Sequence, residues 1–510
     1  MIHRFTIPLF TLFLVLGAQA ADMNKTLRLG FPTAETGFDP IAVSDLYSNT
    51  IIEAILEPML GYDYLARPVK LIPITLAQMP TVSDNGSTYL FKLKQGILFA
   101  DDAAFKGKPR ELIAQDYAYS IRRLFDPALR SPWLFLLDGK IIGTDEVVAK
   151  AKASNRFDYD APITGLEVID RYTLRIRLKE PDYNLLYILA MPTLGAMAGE
   201  VVEQYGSDIP AHPVGTGPYV LKEWTRGHKM VLEASPTFRE TYFESQPSSD
   251  PVDQQIAARL KGKKLPIIGR VEVTVIEESQ PFWLAFLGGQ LDLSGIPGEF
   301  VNQVIPGGKL APPYVKRGIQ HYQSAEPDLT YTYFNMEDPL VGGYTKEKIA
   351  LRRAISMAYD IKAEIQIIRK NQAIAAQSPI APGVAGYDPR FRTNLNEYNV
   401  AKAKALLDKF GYKDVNGDGY RELPSGAPLV IEQASVAQGD SRQFDELWKR
   451  NMDAVGIKMT FKKGKWPELV KASKLGKLQM WGAAWIADYP DGENYLQLLY
   501  GKNEDANTAR

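Results

Sequence analysis

A chain of 510 residues is too long for one ordinary core and long enough for two or three lobes. Apolar content of 45% and aromatic content of 11% exclude a disordered polymer, and a formal net charge of −1 provides no basic surface for nucleic acid or an anionic membrane. With no cysteine there is no disulfide framework, so stability has to come from a large core.

The first element stands apart from the fold. His3 and Arg4 precede an apolar run from Phe5 to Leu16, and Ala18-Gln19-Ala20 is an A-x-A cleavage site. The run is shorter than the roughly 20 residues a membrane span needs. A signal peptide over 1–20, cleaved after Ala20, is therefore favoured over an uncleaved anchor. Leu185 to Ala198 is interrupted by Pro192 and Gly195 and does not read as a span. No cysteine follows the leader, which excludes a lipid anchor at that position. The mature chain is expected to be exported and soluble.

Beyond the leader, strands of period two alternate with helices of period near 3.6. Tyr89, Phe91 and Leu93 alternate as in a half-buried strand, as do Leu174, Ile176 and Leu178, and later Val271, Val273 and Val275. Between them lies Pro213-Val214-Gly215-Thr216-Gly217-Pro218, whose two glycines and closing proline predict a tight bend leading into a strand from Tyr219 to Glu223. It lacks the third glycine and the lysine of a nucleotide-binding loop, so phosphate binding is a poor reading. Helices are expected over Lys346–Tyr359 and Val400–Phe410, the second with Asn399 as N-cap and Gly411 just past its end. The mixture is α/β, without repeats.

Catalytic and metal chemistry find little support. There is no G-x-S-x-G elbow, no H-E-x-x-H and no cysteine nucleophile, and His212, His228 and His321 are not spaced as metal ligands. Asp414 to Gly419 imitates the first half of a calcium loop, but Ser425 stands where the bidentate glutamate belongs. An Asx-rich turn is the better reading. No catalytic residue, metal site or cofactor is expected. Near the end, Trp481-Gly482-Ala483-Ala484-Trp485-Ile486-Ala487-Asp488-Tyr489-Pro490 stands out. Taken alone, it reads as two core tryptophans followed by a turn or capping aspartate.

The order of these segments resembles the peptide-type solute-binding proteins of ABC importers, family 5 of the bacterial extracellular solute-binding proteins. Pro213 to Trp224 resembles that family's signature, and similar matches run through Thr88–Gly96, Asp116–Arg123, Ala350–Asp360, Ala401–Tyr412 and Trp481–Asp491. The resemblance implies a two-lobed periplasmic binding protein type II fold with an extra subdomain inserted in lobe I. Lobe I would comprise 21–61 and 181–332, the insertion 62–180 and lobe II 333–510, the chain crossing near Tyr331 to Asn335. The family pattern continues past Arg510, so lobe II is expected to be incomplete, with one strand crossing and an apolar groove where further elements would pack.

By the same resemblance, Asp488 is the partner of a ligand's α-ammonium, Trp485 and Ile486 wall the pocket, and Trp133 and Val43 are further pocket candidates. Gly482 stands where some oligopeptide receptors carry a carboxylate-binding arginine. The implied activity is capture of a peptide, or a related amphiphilic solute, by a periplasmic monomer that delivers it to an ABC permease. It implies no enzyme activity and no nucleic-acid partner. The alternative is an exported hydrolase acting on peptides or glycans.

Overall fold

The computed structural model describes residues 22–394, 397–437 and 441–503. The leader, its cleavage site and residues 504–510 lie outside the described residues. Three four-stranded sheets organise the rest. In the first, strand Asp22–Phe31 runs parallel to Ile268–Val275, which pairs antiparallel with Lys229–Ala234, itself paired with Tyr219–Thr225. The second is antiparallel throughout and is ordered Thr81–Ser83, Thr88–Lys92, Thr173–Arg177, Leu166–Asp170. In the third, Asp328–Phe334 pairs antiparallel with Met480–Ile486, and Val430–Val436 lies parallel to both Met480–Ile486 and Lys458–Gly464.

The expected periodicities account for these elements. Tyr89, Phe91 and Leu93 are buried, as are Leu174, Ile176 and Leu178, so one face of the second sheet is apolar while Arg175 and Arg177 face outward. Helix Lys346–Ala358 buries Leu351, Ala354, Ile355 and Ala358 along one stripe. Helix Val400–Lys409 starts where Asn399 Oδ1 accepts the Lys402 N–H at 2.9 Å, and Gly411 follows in the left-handed region at φ +84°. The first sheet and the second share one continuous core, which runs from Phe31 to Val273. The third sheet has its own, built with both of these helices around Leu351, Leu407, Ile431 and Met480.

The Gly215 and Gly217 loop is needed for a different reason from the one its composition suggests. Neither glycine has a positive φ. A Cβ on Gly215 would sit 2.0 Å from the Ile55 carbonyl oxygen, and one on Gly217 2.6 Å from the same atom. What glycine permits here is close approach to the end of helix Leu46–Ile55, sealed by a Gly217 N–H to Ile55 carbonyl bond of 2.9 Å. Thr216 donates to Glu57, which is itself clamped bidentately by Arg239 at 2.6 and 2.8 Å. The segment is a structural seam of the first lobe.

Asp414 to Gly419 is an Asx turn. Asp414 accepts the N–H groups of Gly417 and Gly419, Asn416 accepts that of Asp418, and Asp418 accepts that of Tyr420. The loop's own amides thus use the oxygens a calcium ion would require, and no cluster of three metal-ligating side chains occurs among the described residues.

Candidate functional site

Strand Met480–Ile486 carries the site to the edge of the second lobe. Trp481 points into the core beside Leu469 and Leu478, 4% exposed, with its ring centroid 5.1 Å from that of Trp466. Trp485 lies on the same face of the strand and is half-buried, while Ile486 on the other face is 41% exposed. Gly482 leaves room for a side chain, since an added Cβ would meet nothing closer than 3.9 Å.

The loop after the strand turns Asp488 back over helix Glu493–Leu496. Asn494, fully buried, organises this turn. Its Nδ2 donates to Asp488 Oδ2 at 3.0 Å, and its Oδ1 accepts both the Asp488 N–H and the Trp485 indole N–H at 2.9 Å. Asp488 Oδ1 makes no hydrogen bond and the carboxylate has no cationic partner among the described residues. Burial pushes the Asp488 pKa up to about 6, while the Asn494 bond pulls the other way. A desolvated carboxylate gains from a cationic hydrogen-bond donor.

The first lobe brings an aromatic side chain, Tyr62, within electrostatic reach of Asp488. Tyr62 and Tyr187 stack at 6.3 Å between ring centroids, 10° from parallel. Burial, Tyr187 and the Asp488 charge, in that order, push the Tyr62 pKa up. Tyr495, beneath the loop, is pushed up to about 12 by burial and by Asp328 and Asp488. Both phenols stay neutral near Asp488.

Trp133 and Val43 are brought together. The Trp133 indole N–H donates to the Val43 carbonyl oxygen at 2.6 Å, and the side chains are only 4% and 5% exposed. A buried indole needs an acceptor, and this one finds it inside the core of the first lobe. Both side chains pack in the core of the first lobe. Asn494, Tyr62 and Tyr187 carry no spacing that singles them out in the sequence; only the folded loop and the facing lobe reveal them.

The profile of bacterial extracellular solute-binding proteins, family 5, matches residues 70–507. The chain belongs to this family. Family 5 proteins bind solutes, and nothing in the match supports the hydrolase alternative. This family 5 protein is 26% identical over 496 residues to di/tripeptide-binding protein 2 of Pseudomonas aeruginosa, covering 95% of this chain and 81% of the relative. It is 23% identical to a probable deoxycholate-binding periplasmic protein of Escherichia coli, over 92% of this chain and 76% of that one. Its fold is that of the two-lobed periplasmic binding proteins. The Helicobacter pylori DppA complex with the peptide STSA superposes with a TM-score of 0.71 at 20% identity, over 92% of this chain and 80% of that one. No helix among the described residues is long and apolar enough to cross a membrane.

Proposed function

We propose that this family 5 protein captures short peptides with a free α-amino group, or a similar amphiphilic solute with a cationic end, between its two lobes. The observation that carries the reading is Asp488: half-buried, raised in pKa, held by Asn494, and without a cation of its own. An ammonium placed against Oδ1 forms a charge-assisted hydrogen bond and relieves the desolvated charge. Trp485, whose indole shares the Asn494 acceptor with the Asp488 N–H, would wall this space and Ile486 would flank it from the strand's other face, and the peptide ligands named for its relatives point the same way. Main-chain pairing to an extended ligand would supply affinity that is independent of side chains. The receptor acts as a periplasmic monomer, exported by the 1–20 leader and cut after Ala20, and hands its ligand to an ABC permease.

The test is calorimetry with trialanine and its N-acetylated analogue, on the parent protein and on Asp488→Asn. Loss of one partner of a buried charge pair costs about 2–5 kcal/mol, so the variant should lose trialanine and hardly change toward the acetylated peptide. Equal losses would show that Asp488 shapes the backbone instead of holding the ligand. Intact-mass analysis of periplasmic extract checks the cleavage site, and a retained Met1 would defeat it.

A further inference from the structure

One aromatic ring of the second lobe reaches into the first. Tyr489 sits next to Asp488 on a loop of the second lobe, yet its side chain is 2% exposed and packs in the core of the first. Its hydroxyl donates to Glu493 Oε2 at 2.7 Å, and the same oxygen accepts from Asn184 Nδ2 of the first lobe at 3.1 Å. Asn184 is fixed in turn: its backbone N–H donates to Asp182 Oδ1 at 2.9 Å, and Asp182 is ion-paired with Lys140 at 2.7 Å. Burial and the neighbouring Glu493 push the Tyr489 pKa up, so the phenol remains a neutral donor.

We infer that Tyr489, fastened by Glu493 and Asn184, is an interlobe latch that stabilises the closed state whatever solute the cleft holds. The inference rests on the reading above that the lobes open and close around a solute. Opening would withdraw the ring from the first lobe's core into water and separate Glu493 from Asn184. Neither cost involves the ligand. A ligand therefore has to supply only the remainder of the closing free energy, because its apparent Kd is the intrinsic one divided by the closed fraction. Two kinds of residue follow from this. Asp488 acts only on ligands that carry a cation, whereas Tyr489, Glu493 and Asn184 are positioning residues that scale every ligand's affinity by one factor.

The cysteine-free chain allows a direct test. Spin labels are attached to cysteines introduced at Lys152 and Lys404, exposed positions on the insertion and on the second lobe, and the distance between them is measured with and without trialanine. Glu493→Ala and Tyr489→Phe should shift the ligand-free distribution to longer distances. Both should raise the Kd of trialanine and of N-acetyl-trialanine by the same factor, roughly two- to ten-fold, the range for one lost hydrogen bond. Adding Asn184→Ala to Glu493→Ala should cost nothing further, since both act through one contact. Unchanged distances, or a loss confined to the free-amine peptide, would overturn the latch. Should neither peptide bind the parent protein, the ligand reading fails, and the ligand-free distances still decide the latch.

Discussion

Asn494 grips Asp488 at two points, donating to its carboxylate Oδ2 at 3.0 Å and accepting its backbone N–H at 2.9 Å. Both the charge and the chain that carries it are therefore set by one buried amide, which also accepts the Trp485 indole. Asn494→Asp keeps the acceptor for both N–H groups and places a second carboxylate against the first. Like charges at this range raise the pKa of the pair. Binding of a free-amine peptide to this variant should acquire a pH midpoint above that of the parent. A loss of stability with no shift in midpoint would reduce Asn494 to a structural residue.

The raised pKa of Asp488 sets a pH dependence of its own. Its folded value of about 6 lies above the ordinary carboxylate value of 3.8, because burial penalises the charge. Folding therefore favours the protonated form, and the stability contribution of this group falls as pH rises through about 6. Ligand binding has the opposite sign: an ammonium requires the ionised carboxylate. Affinity for trialanine should be full above that value and fall as pH drops through it, approaching about tenfold per pH unit, with proton release on binding near the midpoint. The N-acetylated peptide should show a flat profile. Calorimetry in two buffers of different ionisation heat reads both quantities, and matching profiles for the two peptides would sink the assignment.

What was legible in the sequence was whatever repeats locally. Alternation around Phe91 and Ile176 marks strands because a pleated strand buries every second residue, and Asn399 marks a helix start because its side chain reaches its own first turn. Asp488 was legible only through its surroundings, Trp485 to Pro490, which match a family pattern. Asn494 was not, since an asparagine in Asp-Gly-Glu-Asn reads as a turn until the loop folds back over it. Trp133 was hard to read for a related reason. Its partner is the Val43 carbonyl, 90 residues away, and nothing in a loop tryptophan tells a wall from a core.

Whether Trp133 serves the core or the pocket is itself testable. Trp133→Phe keeps an aromatic in the core and removes the N–H that satisfies the Val43 carbonyl oxygen. A buried acceptor left without a donor costs about 1–3 kcal/mol, so the urea midpoint should fall. The Kd for trialanine should not change beyond error. A weaker Kd at unchanged stability would return Trp133 to the pocket.

Gly215 offers a sharper case, because the obstacle to any side chain there is backbone. An added Cβ would lie 2.0 Å from the Ile55 carbonyl oxygen and 2.8 Å from Leu56 Cδ2. The carbonyl oxygen cannot rotate aside, since it already accepts the Gly217 N–H, and the Gly215 carbonyl accepts the Ala100 N–H at 2.8 Å. Gly215→Ala must therefore push the loop off the end of helix Leu46–Ile55 and strain these bonds together. Overpacking alone costs about 1–3 kcal/mol, and each lost hydrogen bond adds about 0.5–1.5 kcal/mol. Gly295→Ala is the matched control, for nothing lies within 4 Å of its Cβ position and its φ is not positive. Urea melts should show the control within about 0.5 kcal/mol of the parent and Gly215→Ala destabilised by several times that. Parent-like stability in Gly215→Ala would mean the loop has slack, and that its glycines serve something other than close packing.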